Sequence, residues 1–402
     1  MPRTVLVVTH GLPYPPHGGA KLRDLNTIRC LAQEHSVLLL SLVWDPEELR
    51  GLPRLRECCD HVDTVPTRRS IRERIAAVAD GLVAGRPLAA SAFYVEGMAR
   101  KLREIVERRR VDLVVFEQIY VAPYIDALPV PRTVRTVLSL HNVAAHQYRS
   151  MVGTQAGAGH KALQIPKWAL MSRMERRYAG RVDHCLVVSP REAGLLRRTH
   201  PEVPTSVVEN GVDALAYRPL GEAEGGQGLL FVGRMQYAPN VDAVRYFCRR
   251  ILPIVQRAVP ETRLYVVGEQ PPDLVTRLAA TGPVVVTGGV PDVRPYYQQS
   301  RIAIVPLRAG GGTRLKILEA MALGRPVVST SIGCEGLSVR DREHLLIADT
   351  PARFADGVIE LLRSPELRRT LAANARRLVE SRYDWEIING ALRDFYRGVL
   401  RG

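Results

Sequence analysis

Residues 301–331 read RIAIVPLRAGGGTRLKILEAMALGRPVVSTS, and this stretch decides the fold class. The apolar run Ile302–Val305 predicts a buried strand, and the glycines at 310–312 predict a tight loop. Helical spacing of apolar residues follows over 313–323, and a second apolar run covers 326–329. A strand, a loop, a helix and a further strand in this order indicate a parallel α/β sheet that binds ligands at the loop.

The same alternation extends along the whole chain of 402 residues, which is too long for one ordinary core. We therefore predict an α/β protein of two doubly wound, Rossmann-like domains that face each other across a cleft. The predicted boundaries are 1–220 for the first domain, 221–228 for a Gly/Glu-rich linker, 229–384 for the second domain and 385–402 for a C-terminal helix packing back on the first. The predicted strands are 4–9, 36–43, 112–116, 133–140, 183–188, 229–232, 263–267, 284–286, 302–305 and 326–329, and the main predicted helices are 20–33, 240–259, 313–323, 352–362 and 365–381.

Composition excludes several classes of protein. The longest apolar run, 37–44, is too short to span a bilayer, and the N-terminus leads directly into a strand without a signal peptide. We therefore expect a cytoplasmic protein. Six cysteines without CxxC or CxH spacing argue against a disulfide framework and a zinc site. The net charge of +15 indicates an anionic partner, such as nucleic acid, anionic lipid or a phosphorylated small molecule.

The glycine run and the helix after it form a candidate anion site. Glycines let a backbone approach a ligand closely, and a helix N-terminus directs free N–H groups at it. Arg314 and Lys316 add cations in the first predicted turn, where they oppose the helix dipole unless an anion is bound. Glu319, seven residues after Gly312, is placed to accept hydrogen bonds from ribose hydroxyls. The alternative is a tight turn followed by two surface cations.

This segment resembles the donor-binding loop of GT-B glycosyltransferases, in particular the retaining glycosyltransferase family 4. In that family two glutamates eight positions apart bracket the loop, and the second binds the ribose. Glu319 matches the second glutamate, whereas Gly311 stands in place of the first, which contacts the donor hexose. The resemblance implies donor contacts from Gly311, Gly312, Thr313, Arg314, Leu315, Lys316 and Glu319.

A second match is Gly233-Arg234, directly after the predicted strand 229–232. The family places a lysine six positions after this arginine, and both cations contact the donor diphosphate. Asn240 occupies the lysine position here, so we expect Lys316 to supply the missing charge. By itself, an arginine after a strand is more often a surface residue. The resemblance also implies that the backbone of Val290 contacts the base.

In the first half, the loop after strand 4–9 ends in Gly18-Gly19, which opens a predicted helix. The resemblance implies that this Gly-Gly approaches the donor phosphate and that Arg23 and Asn26 face the acceptor; a simple turn is the alternative. Strand 133–140 ends at His141, and similar enzymes have a histidine beside the reacting carbon there. A structural histidine is the alternative, although the carboxyl end of a strand favours function.

Together these features predict a retaining hexosyltransferase. It would move a sugar from a UDP- or GDP-linked donor to a glycan or lipid-linked acceptor in cell-envelope polysaccharide or glycoconjugate synthesis. We assign catalysis to His141, Arg234 and Lys316. Because the chain lacks a DxD triplet, we expect no metal and no other cofactor. A nucleotide-sugar epimerase on the same scaffold and a non-catalytic nucleotide-sugar-binding protein stay open, since fold alone does not fix function.

The basic excess concentrates in segment 68–110, which also carries an apolar stripe at helical spacing formed by Ile71, Ile75, Val78 and Leu82. One interpretation is a solvated helix packed on the core. The other is a helix that docks on an anionic membrane and places the protein on the inner face of the cell membrane. Nucleic-acid binding is not expected, because no interleaved aromatic residues accompany the arginines.

Overall fold

The computed structural model describes residues 2–67, 88–130, 134–154, 158–221, 226–280 and 282–401. The chain forms two compact units. The first comprises Met1–Val152, Gly157–Glu209 and Asn389–Gly402, and the second comprises Gly153–Ala156 and Asn210–Ile388. Half of the predicted linker 221–228, namely residues 222–225, lies outside the described residues.

The first unit contains a seven-stranded parallel sheet in the order β3-β2-β1-β4-β5-β6-β7. Its central strands are buried along nearly their whole length, which explains their unbroken runs of Val and Leu. The strands are β1 Thr4–Thr9, β2 Ser36–Val43, β3 His61–Pro66, β4 Leu113–Glu117, β5 Arg135–Leu140, β6 His184–Val187 and β7 Thr205–Val207. The helices are Gly19–Ala32, Leu52–Leu55, Leu88–Phe93, Glu96–Arg108, Ala144–Thr154, Ala158–Tyr178 and Pro190–Thr199, with 3₁₀ turns at Pro46–Gly51, Ile119–Ala127 and Ala179–Arg181.

The second unit contains a six-stranded parallel sheet in the order β10-β9-β8-β11-β12-β13. Its strands are β8 Gly228–Val232, β9 Arg263–Val267, β10 Val284–Gly288, β11 Ile302–Val305, β12 Val327–Ser329 and β13 Leu346–Ile347. Its helices are Ala238–Tyr246, Leu252–Ala258, Asp273–Thr276, Arg294–Gln298, Leu315–Ala322, Pro351–Arg363 and Pro365–Leu378, with a 3₁₀ turn at Arg277–Ala280. The last helix of the chain is Trp385–Arg401.

The C-terminal residues pack within the first unit. Asn26 donates a hydrogen bond to Asn389 over 2.6 Å, and Arg135 donates to the carbonyl of Val399 over 2.7 Å. Arg397 forms an ion pair with Glu34.

Three strands escape prediction from the sequence, namely β3, β7 and β13. Each lies at or next to a sheet edge, where burial is partial and the apolar run is short or mixed with polar residues. The predicted helix 240–259 is interrupted by a π turn at Phe247–Ile251, and the predicted helix 365–381 ends in another at Val379–Tyr383. Periodicity near 3.6 residues does not reveal such single wide turns.

Part of the basic segment can be described. The helix Glu96–Arg108 turns Met98, Leu102 and Ile105 into the core of the first unit, so its apolar face is already covered. The apolar stripe at 71–82 lies outside the described residues. Within the described part of the chain, every helix is too short or too polar to cross a bilayer.

Candidate functional site

Each sheet has a point where consecutive connections leave in opposite directions, and ligands bind open α/β sheets at such points. In the second unit this point lies between β8 and β11, because β8 pairs with β9 on one side and with β11 on the other. The loops that follow β8 and β11 carry Gly233-Arg234 and the glycines 310–312. The topology therefore brings the two predicted phosphate-binding segments to neighbouring strand ends.

The glycine loop has a backbone that side chains rarely adopt. Gly310 has a φ of 133° and Gly312 a φ of 73°, so both lie in the region that favours glycine. The Arg314 guanidinium is buried and donates to the carbonyls of Gly311, over 2.5 Å, and Gly312. Arg314 therefore holds the loop from within, and it lies before the helix rather than in its first turn as expected. Its donor contact stays a prediction.

The helix after the loop begins at Leu315 rather than at Thr313, and Arg314 occupies its N-cap position. Thr313 precedes the cap, and its buried hydroxyl oxygen has no hydrogen-bond partner among the described residues. We call Leu315–Ala322 the loop helix. The residues around its start provide a cation, an orphaned hydroxyl and a glycine backbone, which suits an anionic ligand.

Lys316 lies against Asn240, the residue at the position of the family lysine. The Lys316 Nζ donates to Asn240 Oδ1 over 2.9 Å and lies 4.2 Å from the centre of the Phe231 ring. Burial lowers the pKa of Lys316 to about 7, and the charge of Arg314 contributes in the same direction. The structure thus brings this lysine to the side chain that replaces the expected one.

Gly233 makes this arrangement possible. A Cβ atom at Gly233 would lie 2.7 Å from both Lys316 Nζ and Asn240 Nδ2, closer than real contacts allow. The Asn240 amide also donates to the carbonyl of Arg234 over 2.8 Å. Any larger residue at this strand end would therefore displace the Lys316 or Asn240 side chain.

The Arg234 side chain is half exposed, and its Nη2 donates to Gln236 Oε1 over 3.2 Å. Its nearest carboxylate, Glu269, is 3.9 Å away. A guanidinium held by a neutral amide and a distant carboxylate retains its capacity to bind phosphate in a bidentate manner.

Glu319 lies half-buried on the loop helix, one turn beyond Lys316. Burial raises the pKa of its carboxyl group, and the charge of Lys316 opposes this shift. Val290 is half-buried after β10 and packs against the core of the second unit. The donor contacts of Glu319 and Val290 stay predictions.

The corresponding point of the first unit, between β1 and β4, holds a buried cluster of charges. His141, directly after β5, has its Nε2 2.9 Å from Glu117 Oε2 and 3.3 Å from Asp24 Oδ1. Glu117 is the last residue of β4, and Asp24 lies on the helix Gly19–Ala32. Both carboxylates are buried, and the imidazole is nearly so.

The three groups shift one another's pKa. Burial raises the pKa of Asp24 to about 7 against the opposing charge of His141. Burial alone would lower the pKa of His141, but the negative charges of Asp24 and Glu117 together raise it. Burial alone would raise the pKa of Glu117, but the hydrogen bond and charge of His141 lower it. The histidine is therefore held as a cation between two acids.

Donor atoms of this cluster lie within 4.8 Å of one another, close enough to hold a metal ion. Arg23 lies beside both carboxylates and interacts with their charges. Arg23 and a protonated His141 thus place two cations beside the two acids.

Two predicted acceptor residues have structural partners. Arg23 is buried and donates to the carbonyls of Glu209, over 2.6 Å, and Val208, over 3.1 Å. Asn26 donates a hydrogen bond to Asn389. Gly18 caps the helix that begins at Gly19, as the sequence predicts. The placement of Arg23 and Asn26 favours roles in holding the first unit together over contact with an acceptor.

Sequence reasoning missed Asp24 and Glu117. A signal for Glu117 was present, because a charged residue ends the apolar strand LVVFE at the sheet edge where ligands bind. Asp24 gave no comparable signal, because its burial beside Arg23 and Thr27 is visible only in the structure.

Sequence comparison matches residues 226–364 to the family Glycosyl transferases group 1 and residues 18–214 to Glycosyltransferase Family 4. Solved structures with the same fold include sucrose-phosphate synthase from Thermosynechococcus elongatus, with a TM-score of 0.75 and 17% identity over 99% of each chain. Another is Anabaena HepE in complex with UDP and glucose, with a TM-score of 0.65 and 16% identity over 98% of this chain and 100% of HepE. By sequence and by fold, the chain belongs to the GT-B glycosyltransferases.

Two relatives show how far the sequence similarity extends. An uncharacterized 44.6 kDa protein in the cps region of Klebsiella pneumoniae is 22% identical over 394 residues, 94% of this chain and 96% of that protein. A D-inositol 3-phosphate glycosyltransferase of Acidothermus cellulolyticus is 30% identical over 223 residues, 52% of this chain. That match covers 49% of the Acidothermus protein, so the chain spans about half of its length.

Proposed function

We propose that this GT-B glycosyltransferase moves a hexosyl unit from a nucleoside-diphosphate sugar to a glycan or lipid-linked acceptor, with retention of anomeric configuration. The observation that carries the proposal is the pair of Lys316 and Asn240, joined over 2.9 Å between Gly233 and the start of the loop helix. A cation held there by a neutral amide needs an anion, and the diphosphate of a donor provides one.

Arg234 and Lys316 would stabilise the negative charge that develops on the departing diphosphate. Thr313 and the glycine backbone would contribute hydrogen bonds, and Glu319 would accept hydrogen bonds from the ribose. Gly311 takes the place of the family glutamate, so the hexose must be recognised by other groups. The proposed transfer is independent of metal, because the chain lacks the DxD triplet that other transferases use for a metal-bound diphosphate.

His141 would lie beside the reacting carbon, as the family resemblance implies. Held between Glu117 and Asp24, its imidazolium would stabilise negative charge on the donor rather than act as a base. Deprotonation of the acceptor would then fall to the leaving phosphate on the same face of the sugar, which yields retention.

UDP is the first nucleotide to test, since the structural neighbour HepE is described in complex with UDP and glucose. GDP is the second, since a related Mycobacterium leprae protein is described as a phosphatidyl-myo-inositol mannosyltransferase. The Klebsiella relative in a cps region supports a role in envelope polysaccharide synthesis. An anionic membrane contact through segment 68–110 and a cytoplasmic location complete the proposal.

The test is a thermal-shift and calorimetric screen of UDP-, GDP-, ADP- and dTDP-sugars, followed by turnover with a glycolipid extract in the presence of EDTA. We expect one nucleotide class to bind, and its sugar to appear in product with the donor's anomeric configuration. Inversion would exclude the proposed mechanism, and loss of turnover in EDTA would exclude metal independence. Interconversion of donor sugars without acceptor would indicate an epimerase. Donor binding without turnover in any extract would indicate a non-catalytic protein.

A further inference from the structure

A cavity of about 350 Å³ lies at the other edge of the second sheet from the glycine loop. Arg301 and Arg325 line it. Arg301 directly precedes β11, and Arg325 lies two residues before the start of β12, so the cavity faces the amino ends of parallel strands. Ligands proposed for the glycine loop face the carboxyl ends. The cavity is therefore a separate site, and its volume suits a small ligand.

Five arginines are among its lining residues, and no carboxylate is found among the described residues of the lining. On the helix Pro365–Leu378, Arg368 and Arg369 stand one turn before Ala372 and Ala373, and Arg376 stands one turn after Ala372. Two small side chains between the cations leave room for a ligand.

Arg325 is 3% exposed and is one of the two buried residues of the lining, with Pro326. Its Nε donates to the carbonyl of Tyr297 over 2.7 Å, and its Nη1 donates to the carbonyl of Gly221 over 2.5 Å. Its Nη2 is buried without a hydrogen-bond partner among the described residues. Burial lowers the pKa of this guanidinium. A buried cation with a donor to spare is costly unless an anion completes it.

Arg376, another residue of the lining, is held by several partners. Its guanidinium donates to the carbonyls of Tyr217, Ala322 and Ala214 over 2.6 to 2.9 Å, and its Nε lies 2.6 Å from Glu380. The carbonyl oxygens orient the guanidinium, while Glu380 balances part of its charge. The binding geometry therefore exists before a ligand arrives, which reduces the entropy that binding costs.

We propose that this cavity binds a compact phosphorylated anion, such as pyrophosphate or a sugar phosphate, through the arginines of its lining. Guanidinium groups bind phosphate oxygens in a bidentate manner and suit such ligands better than carboxylic acids of one charge. This site is independent of the proposed donor site.

The cavity is nevertheless connected to the loop helix. Tyr297 is buried, accepts a hydrogen bond from Arg325 at its carbonyl, and donates its hydroxyl to the carbonyl of Lys316 over 3.3 Å. Arg376 contacts the carbonyl of Ala322 at the end of that helix. The loop helix has eight residues, so the two sites lie about 12 Å apart along its axis.

The experiment is calorimetric titration of the full chain with pyrophosphate, orthophosphate and a hexose phosphate at constant ionic strength. Saturating nucleoside diphosphate is present, so that the proposed donor site is filled. We expect submillimolar binding of at least one anion and at least ten-fold weaker binding in Ala372→Glu, which places a carboxylate among the arginines. Thr370→Glu, on an exposed part of the same helix, changes the net charge equally and should stay within two-fold of the wild type.

Absence of binding by the wild-type chain would overturn the proposal. So would equal weakening in Ala372→Glu and Thr370→Glu, which would show a response to net charge alone. Weakening in Arg234→Ala but not in Ala372→Glu would assign the anion to the donor site and also overturn it. Glu222 and Glu224 follow Gly221 in the sequence, outside the described residues. Binding that appears only in Glu222→Gln/Glu224→Gln would mean that the native chain does not use the cavity.

Discussion

At the carboxyl end of β8 the second unit holds Arg234 and Lys316 against neutral amides, those of Gln236 and Asn240. At the carboxyl end of β4 the first unit holds a cation, His141, between two carboxylates. Both places are switch points of doubly wound sheets, so the fold is the same and the charge arrangement differs.

The difference indicates a division of labour. Cations with neutral partners keep an unsatisfied charge, so the second unit is suited to bind an anion from solution. Charges that satisfy one another in a buried place are costly to move, so the first unit is suited to hold one side chain in a fixed position. We therefore expect substitutions in the second unit to change donor affinity and substitutions in the first to change turnover.

The largest effect is expected for His141→Ala. Turnover should fall about 100-fold or more, the scale of a lost group that contacts the reacting atoms, while nucleoside-diphosphate affinity changes less than about three-fold. The measurements are nucleoside-diphosphate release with a glycolipid extract and calorimetric affinity. Glu117→Gln, which keeps the side-chain volume, should reduce turnover less. Unchanged turnover in folded His141→Ala would show that the cluster is purely structural and that the first unit has no catalytic role through His141.

The second prediction concerns the cations of the second unit. Arg234→Ala and Lys316→Met should each weaken nucleoside-diphosphate binding about ten-fold or more, the scale of one charge-assisted hydrogen bond. Arg340→Ala is the matched control, because Arg340 is an exposed arginine of the same unit that pairs with Glu343. Calorimetric titration measures all three variants. Wild-type affinity in both site variants would refute the assignment of the phosphate site.

The alternation of apolar runs was sufficient to predict ten of the strands and the parallel α/β class. The glycine run and Gly233-Arg234 likewise predicted which loops meet at β8 and β11, since parallel topology fixes that edge. The contact between Lys316 and Asn240, by contrast, joins residues 76 positions apart. Charge balance suggested it, but only the packing of the loop helix against β8 places the two atoms together.

The cluster around His141 was less predictable. Its three members come from a helix and two strand ends that are far apart in the sequence. Aspartate and glutamate are also rarely buried in proteins, so a sequence does not lead one to expect them there. The orientation of Arg314 was not predictable either. Its expected place in the first helical turn indicated a ligand-facing cation, but its guanidinium donates to the loop carbonyls, and that orientation depends on side-chain torsions.

The third prediction tests close packing at β8. Gly233→Ala should displace the Lys316 ammonium and weaken nucleoside-diphosphate binding about five-fold, because a Cβ atom there would lie 2.7 Å from Nζ. Gly194→Ala in the first unit is the control, since nothing lies within 4 Å of its Cβ position. Equal affinity in Gly233→Ala and the wild type would show that Lys316 is not held where donor binding needs it.

The smallest effect is a pH dependence confined to the second unit. The pKa of Lys316 is lowered to about 7 in the free protein, chiefly by burial, and a bound diphosphate must raise it. Binding therefore takes up a proton between these two pKa values, so affinity should fall as pH rises from about 7. A nucleotide sugar is the right ligand, because its diphosphate diester does not titrate in this range.

We expect a loss of about three-fold between pH 6.5 and pH 8 in calorimetric titrations, which is less than removal of the side chain causes because deprotonation is partial. Lys316→Arg should flatten this dependence, since a guanidinium stays charged throughout. The cluster of the first unit is expected to contribute little to this dependence, because the proposed role of His141 affects turnover more than donor affinity. A pH dependence that persists in Lys316→Arg but disappears in His141→Ala would reverse the division between the two switch points, placing the titrating donor contact in the first unit.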